Sequence, residues 1–225
     1  SQTETAPLQV NHSVAGGTIE SSLFAATDAA YVPDSVAVQF AELFAGDIDF
    51  RRALRKGDRF QMVYETLQAD GETLRTGQLL SAEFINAGKL HQAMWFQDAG
   101  SKGQYYSLEG LSLRKAFLTS PLKYTRVSSG FGIRVHPISK DKRAHKGIDY
   151  AAPTGTPVRT VGDGVIAFAG VQRGYGNVIE VAHRNNKTTV FAHLSRIDVK
   201  KGQKVEQGAV IGAVGSTGFS TGPHL

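Results

Sequence analysis

Two side chains able to hold a metal stand four positions apart in Arg143-Ala144-His145-Lys146-Gly147-Ile148-Asp149-Tyr150. Two more histidines answer them downstream, in Phe191-Ala192-His193-Leu194 and Gly222-Pro223-His224-Leu225. Imidazole nitrogen and carboxylate oxygen are both zinc donors, at about 2.0–2.2 Å. On a flat strand His145 and Asp149 would face one side but lie about 13 Å apart, too far to share an ion. Gly147 between them permits a bend that would bring the two together. Taken alone, the HxxxD spacing occurs by chance, and His193, ending the Thr-Thr-Val-Phe-Ala run, reads first as a sheet-edge histidine. His224 follows the turn-forming stretch from Thr217 to Pro223, and such a loop can deliver a side chain into a cleft. If these residues converge, the chemistry they suit is a divalent ion that readies water for attack on an amide.

Composition narrows the choices. The chain has 225 residues, 41% of them hydrophobic, enough for one large domain or two small ones, each with a core. No apolar run approaches the length of a bilayer span, and no secretory signal pattern is present. The opening Ser1-Gln2-Thr3-Glu4-Thr5-Ala6-Pro7 looks like a linker, with room upstream for an export segment or membrane anchor. Cysteine is absent, which excludes disulfides, thiolate ligands and a cysteine nucleophile. The net charge of +5 favours an anionic partner surface, but the basic residues are scattered without an aromatic-interleaved stripe, and no nucleic acid partner is expected.

The elements that must position these residues differ between the two halves. Residues 1–17 read as a leader or linker and 18–116 as a small α+β domain. In that domain a helix over Ser21–Ala30 is capped by Ser21 or Ser22. A second helix begins at Pro33-Asp34-Ser35 and buries Val36, Phe40, Leu43 and Phe44 before Gly46. Strands follow over Arg59–Thr66, Thr73–Phe84 and Leu90–Phe96, with Asp70-Gly71 as a hairpin signal and Tyr105-Tyr106 opening a short strand. Asp47-Ile48-Asp49-Phe50, with arginines close by, reads as a solvated ion-pair cluster. No stretch of this half carries a chemical motif. Residues 117–126 are a connector whose Phe117-Leu118 and Pro121-Leu122 could tuck into a seam. From 127 to 225 glycine and valine rise, and the short punctuated strands suggest a mainly antiparallel β-sandwich or groove. Strand candidates are Val158–Val161, Gly164–Ala169, Asn177–Ala182, Thr188–His193 and Ala209–Val214.

Seven segments, in order, give this half a specific likeness. They are Ser128-Ser129-Gly130-Phe131-Gly132-Ile133-Arg134, His145-Lys146-Gly147-Ile148-Asp149, Ala152-Pro153-Thr154-Gly155-Thr156-Pro157-Val158, Gly174-Tyr175-Gly176-Asn177, Phe191-Ala192-His193-Leu194, Gly215-Ser216-Thr217-Gly218 and Gly222-Pro223-His224-Leu225. Residues 127–225 resemble the lysostaphin-type zinc metallopeptidases, the M23 or LytM-domain family. The first half, through Asp47-Ile48-Asp49-Phe50 and Lys56-Gly57-Asp58-Arg59-Phe60, resembles the accessory domain that precedes it in Gram-negative cell-wall endopeptidases.

The resemblance implies one zinc ion held by His145 and Asp149, with His193 and His224 as catalytic histidines that do not ligate. The family takes its third protein ligand from the second histidine of an HxH motif. Here that motif begins at His224, and its second histidine would follow Leu225, so the expected catalytic domain is C-terminally incomplete. Three protein ligands leave a position for water, whose pKa zinc brings to about 7. Arg134 and Asn177 are candidate substrate contacts on the groove wall. Implied too are a peptidoglycan peptide substrate, cleaved at the D-alanyl–diaminopimelate cross-link, a periplasmic or envelope location in a Gram-negative bacterium, and a monomer. The alternative is a degenerate LytM-type module that binds wall peptide or activates an amidase without catalysis. Its loss of ligands contrasts with the retention here of His145, Asp149, His193 and His224.

Overall fold

The computed structural model describes residues 8–50, 52–69, 71–123 and 147–225. These residues form two compact units, one running to Lys115 and the other made of 116–123 and 147–225. Among the described residues no helix is long and apolar enough to cross a membrane.

The first unit is an antiparallel sheet of five strands with two helices on one face. In spatial and chain order the strands are β1 (Gln9–Thr18), β2 (Arg59–Ala69), β3 (Glu72–Asn86), β4 (Lys89–Phe96) and β5 (Gln104–Tyr106). Helix α1 spans Leu23–Ala29, and Ser22 caps it by accepting a hydrogen bond from the Ala25 amide at 3.1 Å. Helix α2 spans Asp34–Phe44 and buries Val36, Ala37, Phe40, Ala41 and Phe44, the apolar stripe of a 3.6-residue period. Phe40 anchors the core, with Phe44, Phe60 and Phe84 ringed edge-to-face around it at 5.1, 5.9 and 5.8 Å. On β2, alternation sends Phe60, Met62 and Tyr64 inward to meet this cluster.

Two sequence-based expectations need adjusting here, and one buried charge stands out. Gln9–Thr18, most of which reads as leader in the sequence, is a ten-residue strand paired in register along β2. Asp47 pairs with Lys115 at 3.0 Å, a partner more distant in sequence than the arginines expected to surround it. Asp58 is 4% exposed and structural: its carboxylate accepts from the Arg55 and Ala87 amides at 2.8 and 2.9 Å and from the Asn86 side chain at 2.7 Å. Burial alone would raise its pKa. The three hydrogen bonds, which favour the charged form, outweigh burial and hold it below the usual carboxylate value.

The second unit has two sheets around one core. One is ordered β11-β7-β8-β9, from Lys204–Val205, Gly164–Gln172, Gly176–Ala182 and Thr188–Leu194. The other is ordered β10-β12-β6, from Arg196–Ile197, Val210–Ala213 and Pro157–Arg159. All pairings are antiparallel. Val158, Ile166, Ile179, Val181, Leu194, Ile211 and Val214 fill the core between them, each essentially inaccessible to water. The described part of the expected connector, 117–123, packs within this unit: the Leu118 amide donates to Val161 O at 2.7 Å, and Leu122 bridges Val158 and enters the core. His183 is a structural brace, with its ring nitrogens on Asp163 O at 2.8 Å and Thr189 Oγ1 at 2.7 Å.

Candidate active site

Three backbone crossings in the second unit assemble the site. The first brings Tyr150 against Leu225, each amide donating to the other's carbonyl at 3.0 Å, so that Ala151 stands directly opposite His224. Side chains alternate along a strand, which puts Asp149, two before Ala151, on the face that carries His224. The second crossing fixes His224 from its other side, where its amide donates to Gly215 O at 3.0 Å. The third passes Gly174–Asn177 against Thr217-Gly218. A Cβ on Gly176 would overlap the Thr217 backbone, and one on Gly218 would overlap the Gly176 amide. Both glycines also have positive φ, 67° and 75°, so no other residue suits either place.

His193 ends up beside His224, with ring centroids 4.7 Å apart and planes inclined at 46°. It does so from a backbone conformation few residues adopt, φ 59°. A left-handed conformation costs a residue with a Cβ about 1–2 kcal/mol. Here neighbours on both sides hold it: the His193 amide donates to Tyr175 O at 2.8 Å, and the Thr217 amide donates to His193 O at 3.3 Å. Such strain, held in place by its surroundings, is typical of functional positions.

The ring contacts assign the tautomers. His193 Nδ1 lies 2.7 Å from Thr217 O, and His224 Nδ1 lies 2.8 Å from Gly222 O. A carbonyl oxygen can only accept, so both Nδ1 atoms carry a hydrogen. In their neutral forms both rings therefore present an unprotonated Nε2, a Brønsted base. Two bases set side by side and half-buried suit proton transfer to and from a reacting group.

Of the remaining expected site residues, Asn177 pairs with Leu194, the residue after His193, and its side-chain amide donates to Leu194 O at 2.9 Å. His145 and Arg134 lie outside the described residues, as does the Ser128–Arg134 segment. Among the described residues no three ligating side chains gather into a metal cage. The donor type fits zinc in one respect: Asp149 offers a carboxylate oxygen two residues before the Ala151–His224 bridge. Tyr150, expected as packing, lies against the core, and burial raises its hydroxyl's pKa. Sequence reading passed over Thr217 and Ser220. The only signal for them was the density of small hydroxylated residues just before His224.

Comparison with known proteins finds a likeness for each half of the chain. Residues 9–133 match the model of the Csd3 second domain, and residues 143–225 match that of peptidase family M23. The chain belongs to the family of the Csd3 second domain and carries after it a peptidase family M23 domain. It is 40% identical over 189 residues to the peptidoglycan DD-endopeptidase ShyC of Vibrio cholerae serotype O1, covering 84% of this chain and 43% of that protein. It is 42% identical over 201 residues to the DD-carboxypeptidase/endopeptidase Mpg of Neisseria meningitidis serogroup B, covering 87% of this chain and 46% of that protein. The chain thus spans less than half the length of these curated relatives. A crystal structure of a zinc-containing peptidase from Vibrio cholerae aligns over 96% of this chain and 66% of that one, at 29% identity and a TM-score of 0.45.

Proposed function

We propose that this M23 protein is a zinc-dependent endopeptidase that hydrolyses peptide cross-links of peptidoglycan in the envelope of a Gram-negative bacterium. The observation that carries the reading is the His193–His224 pair, two adjacent imidazoles each held through Nδ1 and each bare at Nε2. The names of ShyC and Mpg supply the substrate class, peptidoglycan peptide, and the D-alanyl–diaminopimelate bond is the linkage we assign.

Asp149 and His145 would hold the ion. When bound, zinc would supply Lewis acidity to water and to the scissile carbonyl. The chain's own residues handle the protons. As the water oxygen bonds to the carbonyl carbon, one bare Nε2 takes the water's proton. As the C–N bond breaks, that proton passes to the departing amine nitrogen, leaving a carboxylic acid and an amine, which at neutral pH exchange a proton to become carboxylate and ammonium. The neighbouring imidazole, once protonated, can donate to the carbonyl oxygen as negative charge develops there. Arg134 and Asn177 are assigned to the groove wall, and the protein is assigned to the periplasm as a monomer.

The test is release of muropeptides from cross-linked peptidoglycan by the intact natural protein, with zinc measured on the same sample. About one zinc per chain and turnover abolished by a chelator and restored by zinc are the expected results. Stoichiometric zinc without turnover would instead identify a module that binds wall peptide without cutting it.

A further inference from the structure

In a free histidine side chain the proton prefers Nε2, so two neighbouring rings that both carry it on Nδ1 need something to hold them there. Both retaining groups lie on one short segment between Gly215 and Leu225: Thr217 O for His193 and Gly222 O for His224. The segment is largely exposed and has little apolar anchoring of its own. Hydroxyl groups hold it instead. Thr217 Oγ1 donates to Leu194 O at 2.9 Å and accepts from the Asn177 amide at 3.0 Å, pinning the Thr217 residue to β8 and β9 next to His193. Ser220 Oγ donates to Gly222 O at 2.7 Å. Its one hydrogen being used there, Ser216 Oγ is the donor in their 2.9 Å contact. Ser220 Oγ also lies 3.2 Å from His224 Nδ1, where it is a second acceptor for the same ring hydrogen.

We propose that Thr217 and Ser220 are positioning residues, which act through the carbonyls of Thr217 and Gly222 to lock His193 and His224 together in the Nδ1–H tautomer. Each fixes the carbonyl that decides which nitrogen of a neighbouring ring stays bare. Because one segment serves both rings, the two bases are set by a single local structure. The proposal deepens the peptidase reading and rests on it for its kinetic readout, whereas its spectroscopic readout is independent of activity.

The experiment is ¹⁵N NMR of the histidine rings in the zinc-loaded protein, at a pH where both rings are neutral. Thr217→Val and Thr217→Ser, and Ser220→Ala and Ser220→Thr, are compared with the wild type. In the wild type both rings should show a protonated Nδ1 and an unprotonated Nε2. Thr217→Val, which keeps the shape and removes the hydroxyl, should return His193 toward a mixture of tautomers and leave His224 unchanged. Ser220→Ala should do the reverse. Each should lower kcat about tenfold with KM within twofold, and Thr217→Ser and Ser220→Thr should restore both readouts. A wild-type ring protonated at Nε2 overturns the proposal outright, whether or not any variant folds. So do hydroxyl-free variants that melt like the wild type and keep its tautomers. If the tautomers behave as stated but the wild type cleaves no peptidoglycan, the clamp stands and the peptidase reading falls.

Discussion

Asp58 in the first unit and His193 in the second are both polar groups drawn in from water and tied to backbone, but they are satisfied to different degrees. Asp58 spends its carboxylate on three donors, the Arg55 and Ala87 amides and the Asn86 side chain, and its charge is locked into the fold. His193 is held at Nδ1 and left bare at Nε2, on a backbone conformation that works against stability. The first unit surrounds its buried charge with long strands and a phenylalanine cluster. The second builds from strands as short as two residues and threads glycine-rich backbone between them. The contrast teaches a rule for reading such sites: a fully satisfied polar group holds structure, and a half-satisfied one beside another keeps the capacity to react.

The contrast can be tested from its strongest consequence downward. Replacing either His193 or His224 by alanine should cost about 10²- to 10⁴-fold in turnover with little change in melting temperature, measured by muropeptide release and thermal denaturation. A variant that retains activity would remove that histidine from the chemistry. Phe40→Ala, at a site 0% exposed, should instead destabilise the protein by about 3–5 kcal/mol, read by urea unfolding. A loss below about 1 kcal/mol would show the first unit's core to be looser than its packing implies.

Asp58→Asn turns an acceptor into a donor facing backbone amides, and should cost about 1–3 kcal/mol near neutral pH. The pH dependence has a definite sign. The folded pKa of Asp58 lies below the unfolded value near 3.8, so the wild type's advantage is complete above that value and drains away as pH falls through the folded pKa. An advantage that grew on acidification would contradict the hydrogen-bonded, ionised carboxylate. The smallest effect sharpens the strain half of the comparison. His193→Gly should be more stable than His193→Ala by about 1 kcal/mol, because glycine alone is at ease at φ 59°. Both would lack the imidazole, so activity would not distinguish them while melting curves would.

Much of this architecture is legible in the sequence, for reasons that are local. Ser22 as a cap and the Val36–Phe40–Phe44 stripe mark α1 and α2 because capping and helical periodicity are written within a few residues of each other. The long strands of the first unit alternate clearly because one face is wet and the other dry. Strand β1 escapes notice because it is an edge strand whose first four residues are exposed, and the alternating burial from Ser13 to Thr18 falls on the small residues Ser13, Ala15 and Gly17, so no apolar period shows in its sequence. The two-residue strands β10 and β11 are too short to carry any period.

By itself the amino-acid sequence determined the candidate inventory of the site: three histidines and an aspartate of the right chemistry, in an order specific enough to imply a family. It determined as well that cysteine chemistry was excluded. Only the tertiary structure decided what those side chains can do. The proton on His193 is placed by Thr217, 24 residues away along the chain, and the rings of His193 and His224 are neighbours because separate backbone crossings bring them within 4.7 Å. A tautomer follows from the hydrogen bond that the opposite ring nitrogen makes, and that bond exists only once the chain has closed on itself.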